Sequence, residues 1–202
     1  MSLSDFLAKL SPAQRRHRSV KKYLLKNYGE IIADFKHKPA ARATADADYP
    51  VWACWWQGEA QMPELVRACF RALQDRAAGH KVTLITQANF SEFTDLPAHI
   101  LEKTARGRIT LTHLSDILRM NLLKNHGGLW PDATILLTKP LPVFGQPLFS
   151  IKRRAASQNV AQGRWSAYLW YMTKGNLLAE FLDTLFREYW RRENDLIAYF
   201  LI

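Results

Sequence analysis

Cysteine is almost missing from this chain: 202 residues carry only Cys54 and Cys69. Both lie in apolar stretches without metal-ligand spacing, which argues against a disulfide-stapled secreted scaffold or a zinc ribbon. Reduced core thiols are expected instead. No apolar run near the start reaches signal-peptide quality, and none reaches membrane-spanning length, so a cytoplasmic protein is expected and the sequon Asn89-Phe90-Ser91 carries no meaning. Acids are scarce too, with 18 Asp and Glu against 28 Lys and Arg and a formal net charge of +10. At 23% charged and 48% hydrophobic residues the composition is still that of a folded protein, and the basic excess points to anionic partners. The cations gather in the first helices without a nucleic-acid motif beside them, so no nucleic-acid partner is expected. A chain of this length makes one domain with a sizeable core.

What is present falls into two parts, an N-terminal helical extension over 1–48 and an α/β domain over 49–202. In the extension Leu3, Phe6, Leu7 and Leu10 recur at helical spacing, and after the Ser11-Pro12 break so do Val20, Tyr23, Leu24, Tyr28, Ile31, Ile32 and Phe35. Two amphipathic helices follow, with Lys9, Arg15, Arg16, Arg18, Lys21, Lys22 and Lys26 on their polar faces. A solvated basic face is the bland reading; adsorption to an anionic membrane surface is the sharper one. Residues 38–49 read as a linker.

The domain opens with a strand over Val51–Trp55, then a helix from Pro63 to about Arg76 carrying Leu65, Val66, Cys69, Phe70 and Leu73, then a strand over Lys81–Thr86. Strand, helix, strand implies a parallel pair joined by a crossover. Ligands of open α/β sheets gather outside the carboxyl ends of strands, which makes Trp55, Trp56 and Gln57, and then Asn89, candidates to face a nucleotide; core packing is the rival for the tryptophans. A short helix is expected over Pro97–Arg106. Strand character returns at Pro147–Lys152 and Ser166–Met172, with the basic group Lys152-Arg153-Arg154 between. Asn176 is placed to cap a helix whose stripe includes Leu178, Phe181, Leu182, Leu185 and Tyr189. Asp195–Ile202 reads as a further helix, apolar to its last residue.

The chain is organised around residues 112–142. Leu114, Ile117, Leu118, Met120, Leu122 and Leu123 are apolar nearly all round a helical wheel, as in a buried helix. Asp116 and Arg119, three apart, share a face and can pair or bind one ligand. Ser115 is a candidate cap. Gly127-Gly128 stops the helix. A strand is expected over Leu129–Leu137, bounded by prolines at 140 and 142, and Asp132 in its middle demands a partner, a metal or a ligand.

Ser115-Asp116-Ile117-Leu118-Arg119, Leu122-Leu123, Gly127-Gly128, Trp130 and Asp132-Ala133-Thr134 resemble the Ser-Asp-x-x-Arg … Gly-Gly-x-x-x-Asp-x-Asp core of sugar-nucleotide glycosyltransferases with the DXD motif, those like glycosyltransferase family 32. The Asp-Ala-Thr variant is similar to bacterial capsular polysaccharide synthesis proteins, and Trp52–Gly58, Met62-Pro63, Cys69, Ile85–Asn89 and Tyr189-Trp190 agree with that match across roughly 50–202. The resemblance implies a GT-A-like, Rossmann-like nucleotide-sugar-binding sheet. It also implies a retaining hexosyltransferase that passes a sugar from a nucleotide-diphosphate donor to a saccharide or lipid-linked acceptor in capsular or surface polysaccharide synthesis, at the inner face of the cell membrane.

By the same resemblance Asp116, Arg119 and Asp132 are the catalytic set, the first two holding donor-sugar hydroxyls, with Ser115, Gly127 and Gly128 beside the donor. Asp132 and Thr134 would hold Mn²⁺ or Mg²⁺, although Thr134 replaces the second carboxylate and a neutral hydroxyl is the poorer ligand. In that family the chain continues beyond this point, so a shortened homologue is expected. The alternative function is accordingly a truncated, non-catalytic protein that binds a sugar nucleotide or an assembly partner.

Overall fold

The computed structural model describes residues 12–39, 47–152, 161 and 163–197. The expected helix over Leu3–Leu10, most of the 38–49 linker, Arg153, Arg154 and residues 198–202 lie outside them. In chain order the described elements are α1 (Pro12–His37), β1 (Val51–Cys54), a 3₁₀ turn (Glu59–Gln61), α2 (Glu64–Asp75), β2 (Val82–Ile85), α3 (Phe90–Phe93), α4 (Ala98–Ala105), α5 (Leu111–His126), β3 (Gly128–Pro131), β4 (Leu148–Ser150), β5 (Leu169–Met172) and α6 (Leu177–Arg192).

The strands form one mixed sheet in the order β2-β1-β3-β5-β4. β1 pairs in parallel with β2 and with β3, while β5 runs antiparallel to both β3 and β4. Successive side chains of a strand point to opposite faces, so a central strand that is apolar throughout must be covered on both. Val51, Ala53, Leu129, Leu169 and Tyr171 pack with Val66, Phe70 and Leu73 of α2. Trp52, Trp130, Trp170 and Met172 pack on the other side with α5 and α6. Helix α5 lies beneath α6 and is buried nearly all round, as its apolar wheel requires: Ile117, Leu118, Met120, Leu122 and Leu123 are all 0% exposed.

Helix α1 docks on α6. Tyr28 is buried against Tyr189, Phe35 meets Phe181 edge-on, the hydroxyl of Tyr23 donates to Glu193, and Lys38 pairs with Glu180. The helix is kinked at Tyr28 (φ −130°, ψ 16°).

Three expectations change. The strand after Gly127 runs only to Pro131, because its partner β5 ends at Leu169 and Ile135 N–H turns back to the Asp132 carbonyl. Leu136, placed in the strand from sequence, is 58% exposed. The cap of α5 is Thr110, whose hydroxyl accepts from His113 N–H, while Ser115 donates within the first turns to the Thr112 carbonyl. Finally α6 stops at Arg192, and Asp195–Ile197 are not helical.

The glycine pair does need to be glycine. Gly127 and Gly128 have φ of +69° and +105°, and a Cβ on them would lie 2.5 Å from Lys174 N and 2.1 Å from Pro50 O. This close approach lets β3 enter the sheet directly beneath the helix it leaves.

Candidate active site

The chain lays β2 on one side of β1 and then returns to lay β3 on the other. Between β1 and β3 the order therefore reverses, and such a switch point opens a crevice at the carboxyl ends of parallel strands. Asp132 stands there, one residue past the end of β3. Its backbone N–H is held by the Tyr168 carbonyl at 2.8 Å, and its side chain stays 38% exposed.

A chain of polar contacts leads inward from it. Asp132 Oδ1 accepts from Trp130 Nε1 at 2.9 Å and from Arg119 Nη2 at 2.7 Å. Arg119, only 2% exposed, lies 5.3 Å from the Trp130 ring and donates from Nη1 to Asp116 Oδ1 at 2.9 Å. Asp116 Oδ2 is 3.4 Å from His113 Nδ1, and His113 Nε2 accepts from Trp190 Nε1 at 2.9 Å. Since an indole nitrogen can only donate, Nε2 is the bare nitrogen and the proton sits on Nδ1, facing Asp116. Tryptophan, histidine, aspartate, arginine, aspartate and tryptophan thus form one continuous polar relay from α6 through α5 to the end of β3, with Arg119 donating both ways.

Two valences in the relay remain open among the described residues. Arg119 Nε is buried without a partner, and no described group donates to Asp132 Oδ2. The charges do not cancel either: one guanidinium faces two carboxylates. Buried polar atoms in native proteins are nearly always paired, so Arg119 Nε marks a place for water or a ligand, while Oδ2 of the part-exposed Asp132 is open to solvent or to a ligand in the crevice.

Beside the relay, a small apolar pocket opens near the ends of β1 and β3 against α2, lined by Cys54, Met62, Val66, Cys69, Leu84 and Ala133 among others, with Asp132 also in its wall. Burial pushes the Cys54 thiol up to about 12, so it stays protonated and is no nucleophile at neutral pH. Both cysteines are free thiols, as expected.

Asp116, Arg119 and Asp132 are in direct contact. Trp55, Trp56 and Gln57 follow β1 on the same sheet edge and Asn89 follows β2, with no contact to the relay among the described bonds. Trp55 donates to the Gln61 carbonyl, Trp56 rests on Phe90, and Gln57 is exposed. Asn89 ties its own turn, accepting from Thr86 N–H at 2.8 Å and donating to the Leu84 carbonyl. Ser115 is half-buried on α5 beside Asp116. Gly127 and Gly128 sit at the other end of β3, buried, where the described contacts give them a steric role.

Sequence reasoning leaves His113 out of the candidate site residues and has Trp130 and Trp190 only as landmarks of the resemblance, without a role; His113 and Trp190 are joined across 77 positions of chain, and the Trp130 ring covers Arg119. Only the i, i+3 spacing of His113 and Asp116 hinted at the first.

For a divalent cation, the described residues contain no group of three or more His, Cys, Asp or Glu side chains arranged to hold one. Asp132 Oδ2 offers one carboxylate oxygen and Thr134 stands exposed in the following turn. Such a donor set fits a cation that brings most of its shell from diphosphate and water, which is how Mg²⁺ is commonly held.

A family model described as capsular polysaccharide synthesis protein matches residues 3–202. The chain belongs to that family. The match begins at residue 3, so α1 falls within the stretch this family member shares with the model. A search of curated proteins finds no match. Among solved structures, one titled PaToxG Glycosyltransferase superposes with a TM-score of 0.54 at 14% identity, covering 89% of this chain and 72% of that one. At that identity the likeness is one of fold, and it makes the family member's sheet GT-A-like. No helix among the described residues is long and apolar enough to cross a membrane.

Proposed function

We propose that the protein is a glycosyltransferase of hexosyltransferase type, transferring a sugar from a nucleotide-diphosphate donor to a saccharide or lipid-linked acceptor in capsular or surface polysaccharide synthesis. The observation that carries this reading is the Asp116–Arg119–Asp132 chain at the β1/β3 switch point of a GT-A-like sheet, with a surplus carboxylate facing the crevice.

Each residue then has a task. Asp116 is clamped by Arg119 and His113, so its oxygens are fixed in direction and can accept from donor-sugar hydroxyls without reorganising. Arg119 holds both carboxylates in register from below. Asp132 presents Oδ2 to the donor side, where it would hold Mn²⁺ or Mg²⁺ with help from Thr134. Bound there, the cation would neutralise charge on the leaving diphosphate. Trp55, Trp56 and Gln57 flank the nucleotide from the neighbouring strand end, and Asn89 shapes the loop beyond.

The transfer is read as retaining. In this reading Asp132 Oδ2 faces the leaving diphosphate and Asp116 the sugar hydroxyls, so neither carboxylate is assigned as a nucleophile. A same-face displacement needs none: the bond from the anomeric carbon to the diphosphate oxygen breaks, a bond to the acceptor oxygen forms on that face, and the acceptor proton passes to the departing diphosphate. A covalent glycosyl-enzyme trapped on either aspartate would overturn this.

The deciding measurement is the melting temperature against a panel of nucleotide sugars, with and without Mn²⁺. A donor at a hundred times its dissociation constant stabilises by about 2.7 kcal/mol. One donor should give a Mn²⁺-dependent rise that Asp132→Asn removes, and should be consumed when acceptor is added. A donor-dependent rise without consumption by any acceptor would favour a sugar-nucleotide-binding protein without turnover.

A further inference from the structure

The outward face of α1 combines a packed underside, a one-sign charge and a single exposed leucine. Its inner side is occupied: Tyr23, Leu24, Tyr28 and Ile31 pack into the core shared with α5 and α6, and Arg192 Nη1 donates to the Asn27 carbonyl at 2.9 Å. At 100° per residue, Lys21, Lys22, Leu25 and Lys26 fall within an arc of about 140° on the opposite side. All four are exposed, and Leu25 sits within the arc, between Lys21 and Lys22, at 50% exposure. Arg15 and Arg18 lie on the same arc. Between residues 12 and 29 there is no acid at all; Glu30 and Asp34 come only beyond the kink at Tyr28.

Burial of the inner face explains why α1 is a helix, and does not explain the outer one. A merely solvated face needs neither a single sign of charge nor a large apolar side chain within it. Nucleic acid would use the lysines but gains nothing from Leu25, which meets phosphate as poorly as it meets water. An anionic bilayer uses both: the ammonium groups lie among the headgroup phosphates while the leucine enters the acyl boundary, and lysine stems are long enough to let it do so.

We propose that this face of α1 is a docking surface for an anionic lipid bilayer, holding the protein flat on the membrane through Lys21, Lys22, Lys26 and Leu25. The inference stands on the helix alone and is independent of the reaction assigned above. Attachment through this face, by lysines among headgroups and one leucine at the acyl boundary, is reversible and salt-sensitive.

The test is sedimentation of the full chain with vesicles of phosphatidylcholine, with and without phosphatidylglycerol. Each lysine near an anionic surface contributes about fivefold to affinity, so Lys21→Gln/Lys22→Gln/Lys26→Gln should bind phosphatidylglycerol vesicles about a hundredfold more weakly. Its melting temperature should be unchanged, because these side chains are exposed and are not among the described core residues. Leu25→Ser should lower affinity several-fold and increase the fraction released by salt. Equal binding of the native protein to both kinds of vesicle overturns the proposal, as does full binding by the triple variant. Retention on single- or double-stranded oligonucleotides that is tighter than on anionic vesicles, and indifferent to Leu25→Ser, would assign the face to nucleic acid instead.

Discussion

Helix α5 holds two charge clusters, one at each end, and they are built differently. At its carboxyl end, Asp183 of α6 is 2% exposed and fully satisfied: Oδ1 accepts from Asn121 at 2.9 Å, and Oδ2 accepts from Lys124 at 2.5 Å and Arg187 Nε at 2.8 Å. Arg187 continues to Asp95 at 2.7 Å, and Asn121 and Asn125 donate to the same oxygen. Two cations balance two anions, and both oxygens of the buried carboxylate are filled, while Asp95, 61% exposed, turns its other oxygen to solvent. Near its amino end, Asp116, Arg119 and Asp132 carry one cation against two anions, with Arg119 Nε and Asp132 Oδ2 left open. A closed, neutral cluster locks helices together. One with surplus charge and spare valences suits the donor-binding role proposed for it, and it opens at the crevice of the β1/β3 reversal. Around one helix, then, the balanced cluster acts as scaffold and the unbalanced one is the proposed site.

The largest effect should come from Asp132→Asn. The amide still accepts from Arg119 and Trp130, so the fold survives, but the charge facing the crevice is gone. We expect transfer to fall by a factor of about 10² to 10³ once the donor is known, with little change in melting temperature. A variant retaining native turnover would reduce this cluster to a second scaffold.

Asp183→Leu should do the reverse. It strands Lys124 and Arg187 at a buried seam and should cost about 3–5 kcal/mol in denaturant unfolding. Turnover of the protein that remains folded should be near native. Loss of activity out of proportion to the folded fraction would merge the two clusters into one functional unit.

Trp190→Phe tests how far the site reaches. It removes the donor to His113 Nε2 and should cost about 1–3 kcal/mol, since a buried acceptor is left unpaired. It also frees the tautomer, so nitrogen NMR of His113 should change from a fixed Nδ1–H form to a mixture. Its effect on catalysis, through the direction of Asp116, should appear in turnover more than in KM. An unchanged tautomer would cut the relay at His113.

The smallest effect concerns pH. Burial alone would raise the Asp95 carboxyl, but hydrogen bonds from Asn121 and Asn125, with Arg187 and Lys124 nearby, hold it well below its ordinary value of 3.8. A carboxyl depressed in the folded state stabilises fully above its unfolded pKa and loses that contribution as the pH falls below about 4. Its side chain is 61% exposed, so solvent screening limits the gain to about 1 kcal/mol. Asp95→Asn should flatten the acid limb of the stability curve by that amount, and a curve superimposing on the native one would remove Asp95 from the acid response.

Much of this molecule is local physics and could be read from residues alone. Periodicity marks the helices from Pro63 to Arg76 and from Leu177 onward, Asn176 caps the latter as anticipated, and Gly127-Gly128 ends α5 where the pattern breaks. Asp116 and Arg119 were paired by spacing, because a helix brings residues three apart together whatever surrounds it. The end of β3 was not legible, since a strand lasts only as long as its partner does and β5 lies some forty residues downstream. Thr110 rather than Ser115 became the cap because the helix begins a turn earlier than its apolar run suggests.

By itself, then, the order of residues determined the elements, the buried character of α5 and the one-sign face of α1, all of which depend on neighbours within a few positions. Tertiary structure decided the strand order and hence the switch point, brought Asp132 onto Arg119, tied His113 to Trp190 and closed Asp183 over Lys124 and Arg187. Those choices depend on which apolar faces cover which, and only packing settles whether a carboxylate ends in a filled cluster or an open one.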